Sequence, residues 1–238
     1  MLFNSSKGDK HDYWNIFQYG NKYKIVYVNY GGGSKKKNNE PSKQCRIDSN
    51  ERFLQSLSRS KARVFELAIC NEFRFFCTFT QDPEKRDRFD LGGFRKDFAQ
   101  FVRNLNRKRE PERKIKYLIV PEKHKDGAWH FHGLLMGLDY EDLKKNEFGY
   151  FDWEEYSRKF GFFSVSCIKS HESCSSYITK YISKGFGETD FLAGEHLFFA
   201  SQGLKGATCI VKGLTDKCPF ENWDYVNEWV KIKWVDKL

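Results

Sequence analysis

Residues 115–137, IKYLIVPEKHKDGAWHFHGLLMG, contain two apolar runs on either side of the turn signal Lys125-Asp126-Gly127. The runs IKYLIVPE (115–122) and AWHFHGLLMG (128–137) have the length and composition of buried strands, and the short connection predicts an antiparallel pair. Side chains alternate along a strand, so His130 and His132 share a face, as do Glu122 and His124. Two registers keep Glu122 on the histidine face. One sets it opposite His130; the other sets it opposite His132, with His124 opposite His130. In either, a carboxylate lies about 5 Å from an imidazole, Cβ to Cβ. A plain two-residue Asp-Gly turn would shift the register by one and send Glu122 to the other face, so this site requires a longer loop or a bulge. Two imidazoles and a carboxylate with open positions suit a divalent cation that also holds a substrate oxygen. A hydrogen-bonded pair of core histidines would give the same short pattern.

Outward from this pair, the periodicity predicts a helix from Asn50 to about Asn71 and a strand at FRFFCTFT (73–80). A second amphipathic helix runs from about Leu91 to Arg107, with Phe94, Phe98, Phe101 and Leu105 as its core stripe. A short helix is expected at 153–160, a strand at 162–168 and a helix at 174–185 stopped by Gly185. Residues 73–184 therefore read β-α-β-β-α-β-α. This predicts an α+β fold: a central antiparallel sheet of about five strands carrying the His-x-His pair, with flanking helices. Residues 1–49 read as an N-terminal strand (YKIVYVNY, 23–30) plus a basic flexible loop, and 50–205 as the main domain. The tryptophan-rich segment 206–238 is expected to pack on that same domain and to end in a strand or hairpin.

The chain has 238 residues, 41 Lys and Arg against 32 Asp and Glu, and a net charge of +9, which favours a polyanionic partner. Candidate phosphate contacts are Lys35, Lys36 and Lys37 in the N-terminal loop, and Arg107, Lys108 and Arg109 in the basic run 103–116. The seven cysteines include no C-x-x-C pair, which argues against a disulfide framework and a sulfur-ligated zinc site. No stretch approaches a membrane span and the N-terminal residues have no apolar signal region, so the expected setting is a reducing cytosol without a membrane partner.

The helix CSSYITKYISKG (174–185) adds a second chemical element. Tyr177 and Tyr181 are four residues apart, and Lys180 and Lys184 each follow a tyrosine by three, so all four cluster on one side. Ile178 and Ile182 form the neighbouring apolar stripe that would dock the helix on the sheet. A tyrosine hydroxyl has a pKa near 10 and is a poor nucleophile unless a cation stabilises the phenolate. Metal, tyrosine and lysine in a basic protein together suit strand transfer on DNA.

The order of FCTFT (76–80), E-x-H-x-x-x-x-x-H-F-H (122–132) and YITKYISK (177–184), preceded by ARVFELAICNEF (62–73), resembles the HUH endonucleases. Most closely it resembles the rolling-circle replication initiators of small single-stranded-DNA phages and related plasmids, the microvirus and filamentous-phage type. The resemblance spans roughly 50–205. It implies Mg²⁺ or Mn²⁺ at Glu122, His130 and His132. It also implies attack by Tyr177 or Tyr181 on a scissile phosphate, leaving a 5′-phosphotyrosine and a free 3′-hydroxyl for a polymerase. Lys180 and Lys184 would contact phosphate or assist the phenolate. Two tyrosines one turn apart are what an initiator uses when it ends its cycle by joining. The implied partners are a single-stranded origin, hairpins included, and the polymerase and helicase of a bacterial host, in whose cytoplasm the chain would work. A helicase would come from the host because the chain lacks G-x-x-x-x-G-K-[ST].

Three rivals stay open. A relaxase or transposase of the same class keeps the chemistry and changes the biology, although relaxases are usually longer and small transposases usually carry one tyrosine. A catalytically inactive nucleic-acid-binding protein of the same fold would have no use for Glu122, His130, His132 and both tyrosines. A metal-dependent hydrolase unrelated to DNA would leave the tyrosine helix an accident.

Overall fold

A computed structural model describes residues 12–29, 49–184, 197–215 and 217–238. In chain order, β1 (Tyr13–Tyr19) and β2 (Lys22–Val28) come first, followed by α1 (Ser49–Ile69), β3 (Phe75–Gln81) and α2 (Leu91–Asn106). Then come β4 (Lys116–Lys123), β5 (Trp129–Met136), the short β6 (Lys144–Lys145) and β7 (Phe151–Asp152), α3 (Glu154–Lys159), β8 (Gly161–Cys167) and α4 (His171–Lys184). The chain closes with β9 (Phe199–Ala200), β10 (Thr208–Leu214), β11 (Tyr225–Val226) and β12 (Val230–Val235). Two units form, residues 47–205 and residues 1–46 with 206–238. Among the described residues, no helix is long and apolar enough to cross a membrane.

The 47–205 unit is α+β, built on a five-stranded antiparallel sheet of order β8-β3-β5-β4-β9. Period-two alternation gives this sheet two different faces. On β3, Phe75, Cys77, Phe79 and Gln81 are buried while Phe76, Thr78 and Thr80 are half-buried; on β5, Trp129 and Phe131 are buried while His130 and His132 are half-buried. The buried face packs on α2 and α3. Phe94 stacks on Phe131 with ring centroids 3.8 Å apart, Phe98 meets Phe79 edge-on at 5.4 Å, and Tyr156 meets Phe79 at 5.1 Å. Position 133 on this face takes glycine because a Cβ there would come within 2.8 Å of the Phe79 ring.

Local chemistry sets the helix ends. The Asp90 carboxylate caps α2 by accepting a hydrogen bond from Gly93 N at 2.8 Å. At the other end, the Asn106 side chain donates to Ile115 O (2.9 Å) and accepts from Ile115 N (2.7 Å), tying the helix to the start of β4. Helix α4 starts three residues before the position predicted from periodicity. Ser170, just ahead of it, accepts a hydrogen bond from Ser173 N at 3.3 Å and so supplies the cap.

The two ends of the chain, read from sequence as separate segments, join in one sheet of order β10-β1-β2-β12-β11. Its small core holds Trp14, Ile16 and Ile25, with Tyr23, Tyr27, Phe220 and Trp223 packed around them. Strand β1 falls ahead of the expected 23–30 strand and pairs with it through a Gly20-Asn21 turn in which Gly20 adopts φ 58°. The expected final hairpin is β11–β12.

Candidate active site

The β4–β5 hairpin adopts the first of the two allowed registers: Glu122 pairs with His130, and Val120 with His132. The connection is longer than a two-residue turn. The last pair is Lys123–Trp129, and the loop between them is closed by His124 N donating to Ala128 O at 2.9 Å, with Gly127 at φ 84°. That loop length keeps Glu122 in phase with the histidines.

On this face, His132 Nε2 and Glu122 Oε2 are hydrogen-bonded at 2.7 Å. The other imidazole nitrogen of His132 lies 3.4 Å from Thr78 Oγ1, and His130 Nδ1 lies 3.4 Å from Thr80 Oγ1. Both threonines come from β3, where Thr78 pairs with His132 and Thr80 with His130. They orient the rings from behind, in the manner of outer-shell partners of metal-site histidines. His124 stacks on His130 with centroids 3.7 Å apart. Burial, and then the positive potential of His124 and His132, holds the His130 imidazole below its ordinary pKa, against the opposing pull of Glu122 and Asp126.

Helix α4 lies across the same face. Ile178 and Ile182 are fully buried, and Tyr181 stacks on His132 with centroids 3.7 Å apart. The Tyr181 hydroxyl donates to the Tyr177 hydroxyl at 2.6 Å. The two tyrosines are unequal: Tyr181 is 9% exposed and Tyr177 is 45% exposed. Burial, the hydrogen bond to Tyr177 and the Glu122 charge all push the Tyr181 phenol well above its usual pKa. Lys180 Nζ lies 5.7 Å from the Tyr177 ring centroid. Lys184 ends α4, and its side chain lies outside the described residues.

Glu122, His130 and His132 have the donor chemistry of a divalent-cation site. Two ligands of one ion, each about 2.0–2.1 Å from it, sit about 3 Å apart, and the 2.7 Å Glu122–His132 contact is close to that spacing. As the side chains stand, however, no three His, Cys, Asp or Glu groups among the described residues converge on one point. His130 is turned against His124 and Thr80 instead.

The predicted phosphate contacts divide. Lys35, Lys36 and Lys37 lie outside the described residues. Arg107 and Lys108 are exposed at the C-terminal end of α2, which packs on the face opposite the tyrosines. Arg109 is committed elsewhere: it pairs with Asp142 and donates to Gly137 O at 2.9 Å, so its guanidinium serves as a structural brace.

Sequence reasoning missed Phe162. It pairs with Thr80 on β8, placing Phe162, Thr80, His130 and Glu122 in one row across the sheet, and its ring is 68% exposed. Thr78 and Thr80 were missed as well, although their alternation within FCTFT matches that of His-x-His.

Residues 74–186 match the family model for replication-associated proteins of the ORF2 and gene 2 protein type. The matched segment runs from the start of β3 through α4 and contains Glu122, His130, His132, Tyr177 and Tyr181. The match supports a role in the initiation of DNA replication. No curated protein and no solved structure matches the chain.

Proposed function

We propose that the chain nicks and rejoins single-stranded DNA at a replication origin through a covalent 5′-phosphotyrosine, and so initiates rolling-circle replication of a phage or plasmid. The observation that carries this reading is the single sheet face on which the Glu122–His132 pair, Tyr181 stacked on His132, and Tyr177 bonded to Tyr181 stand in direct contact.

Tyr177 is the first nucleophile. It is the exposed member of the pair, and its hydroxyl oxygen accepts the Tyr181 hydrogen bond, which stabilises negative charge as it develops on that oxygen. Its oxygen attacks phosphorus, the bond from phosphorus to the 3′-oxygen breaks, and that oxygen leaves as a 3′-hydroxyl after taking up a proton. Joining reverses the step, with a 3′-hydroxyl displacing the tyrosine. Lys180 supplies positive charge beside Tyr177. Thr78 and Thr80 hold the imidazoles, and Phe162 offers an exposed ring on which a base flanking the scissile phosphate stacks. A Mg²⁺ or Mn²⁺ ion held by Glu122, His130 and His132 would polarise the phosphate under attack. A host helicase and polymerase would unwind the duplex and extend the 3′ end.

The test is cleavage of single-stranded origin DNA with Mn²⁺ or with EDTA, resolved on a denaturing protein gel. The wild type gives a metal-dependent adduct that survives denaturation. Tyr177→Phe loses first-turnover adduct, Tyr181→Phe retains it, and the double variant gives none. Wild-type protein that binds the origin tightly yet forms no adduct refutes the reading.

A further inference from the structure

The basic run at 103–116 is divided by the fold into two populations. Arg109 and Arg113 face Asp139 and Asp142. Arg103, Lys114 and Lys116 instead line an open groove of about 1070 Å³, joined there by Arg63 from α1 and Arg95 from α2. The two helices form the walls. The floor is the start of β4 with residues 197–204, where β9 is the edge strand. The groove carries five cationic side chains, and none of its lining residues is acidic. Glu66 pairs with Arg63, and Lys116 donates to Gly203 O; Arg95, Arg103 and Lys114 are exposed and make no ion pair among the described residues. Ser56, Ser60 and Gln202 add neutral hydrogen-bonding groups along its length.

We infer that this groove is a second DNA-binding surface, which grips the phosphate backbone of the strand beyond the cleavage site. The inference rests on the proposed nicking reading only in taking DNA as the polyanion. An open channel at or above the size of a small-molecule pocket suits a polymer better than a compact ligand. Tyr117 and Phe199 in its wall are buried and Phe198 is half-buried, so the groove offers no broad stacking platform. Recognition there is by charge along the backbone and is independent of sequence. Strand β4 links the two sites: Lys116 is six residues before Glu122, a distance of about 20 Å. A strand held at the scissile phosphate covers that distance in about six nucleotides.

The experiment uses the full chain and a labelled oligonucleotide of about 30 nucleotides, long enough to span both sites. It is used single-stranded and as a hairpin, with affinity measured across a salt series. The variant is Arg95→Gln with Arg103→Gln and Lys114→Gln, three exposed positions where loss of charge leaves thermal melting unchanged. Losing three backbone contacts lowers the salt slope by about 2, which at 0.1 M salt weakens binding about 100-fold. The same loss with oligonucleotides of unrelated sequence is also expected. Wild-type affinity and slope in the variant, on both substrates, overturn the inference. Displacement of the oligonucleotide by millimolar inorganic phosphate alone would mark a small-anion site and overturn it too. Tyr177→Phe with Tyr181→Phe serves as the parallel control: failure of the nicking reading shows as absence of wild-type adduct, whereas failure of the groove shows only in the salt series.

Discussion

The central sheet has two faces made by the same strands, and they do opposite work. Phe79 and Phe131 point to one side, into an aromatic core closed by Phe94, Phe98 and Tyr156. Thr78, Thr80, His130 and His132, their immediate neighbours in sequence, point to the other. The first face is dry and filled. The second is only partly covered by α4, and it collects polar groups that bond to one another rather than to water. A site built on strands whose backs are packed this tightly is held rigid without further support, because the core side chains fix the backbone that aims the imidazoles.

The sharpest break between the faces comes from Tyr177→Phe combined with Tyr181→Phe. Single-turnover cleavage falls about 10⁴-fold or more, since no other nucleophile replaces them. Denaturant unfolding shifts by only about 1–2 kcal/mol, the scale of one lost hydrogen bond. On the opposite face, Phe131→Ala costs about 3–5 kcal/mol in the same unfolding measurement. If the tyrosine pair proved as destabilising as Phe131→Ala, the division into a chemical and a structural face would fail.

Phe162→Ala is a smaller change on the open face. Single-stranded DNA binding weakens by about 1–3 kcal/mol in a fluorescence titration, with the melting temperature held, because the ring is already in solvent. Unchanged affinity would remove Phe162 from the substrate path. Cysteine labelling gives the smallest readout. Cys77 lies on the filled face with its thiol pKa pushed up by burial, and burial pushes Cys174 up to about 11. Raised values keep both as unreactive thiols at mildly alkaline pH, whereas exposed Cys167 and Cys209 alkylate first with iodoacetamide, read by peptide mass spectrometry. Early labelling of Cys77 would mean that the core face opens.

Much of this arrangement is legible in the sequence because it depends on period. His130 and His132 share a face by alternation, Tyr177 and Tyr181 share one by helical turn, and the element order from β3 to α4 follows from the apolar spacing. The hairpin pattern limits the Glu122 register to two useful choices. Only the loop from His124 to Ala128 selects between them, through a hydrogen bond that no local propensity encodes. The inequality of the tyrosines is also tertiary: it arises because Tyr181 lies over His132 while Tyr177 stays at the edge. Charge is the least readable feature. Arg103 and Arg109 belong to one basic run, yet one lines an open groove and the other is spent on Asp142, because ion-pair partners far apart in sequence meet only when the chain folds. For the same reason the Gly20-Asn21 hairpin and the tail strands reveal their common sheet only in three dimensions. Backbone geometry repeats along the chain, so residue order alone assigns each side chain to a face of its strand or helix. Which of those faces meet is settled only on folding, because contacts between distant segments depend on the packing of the whole.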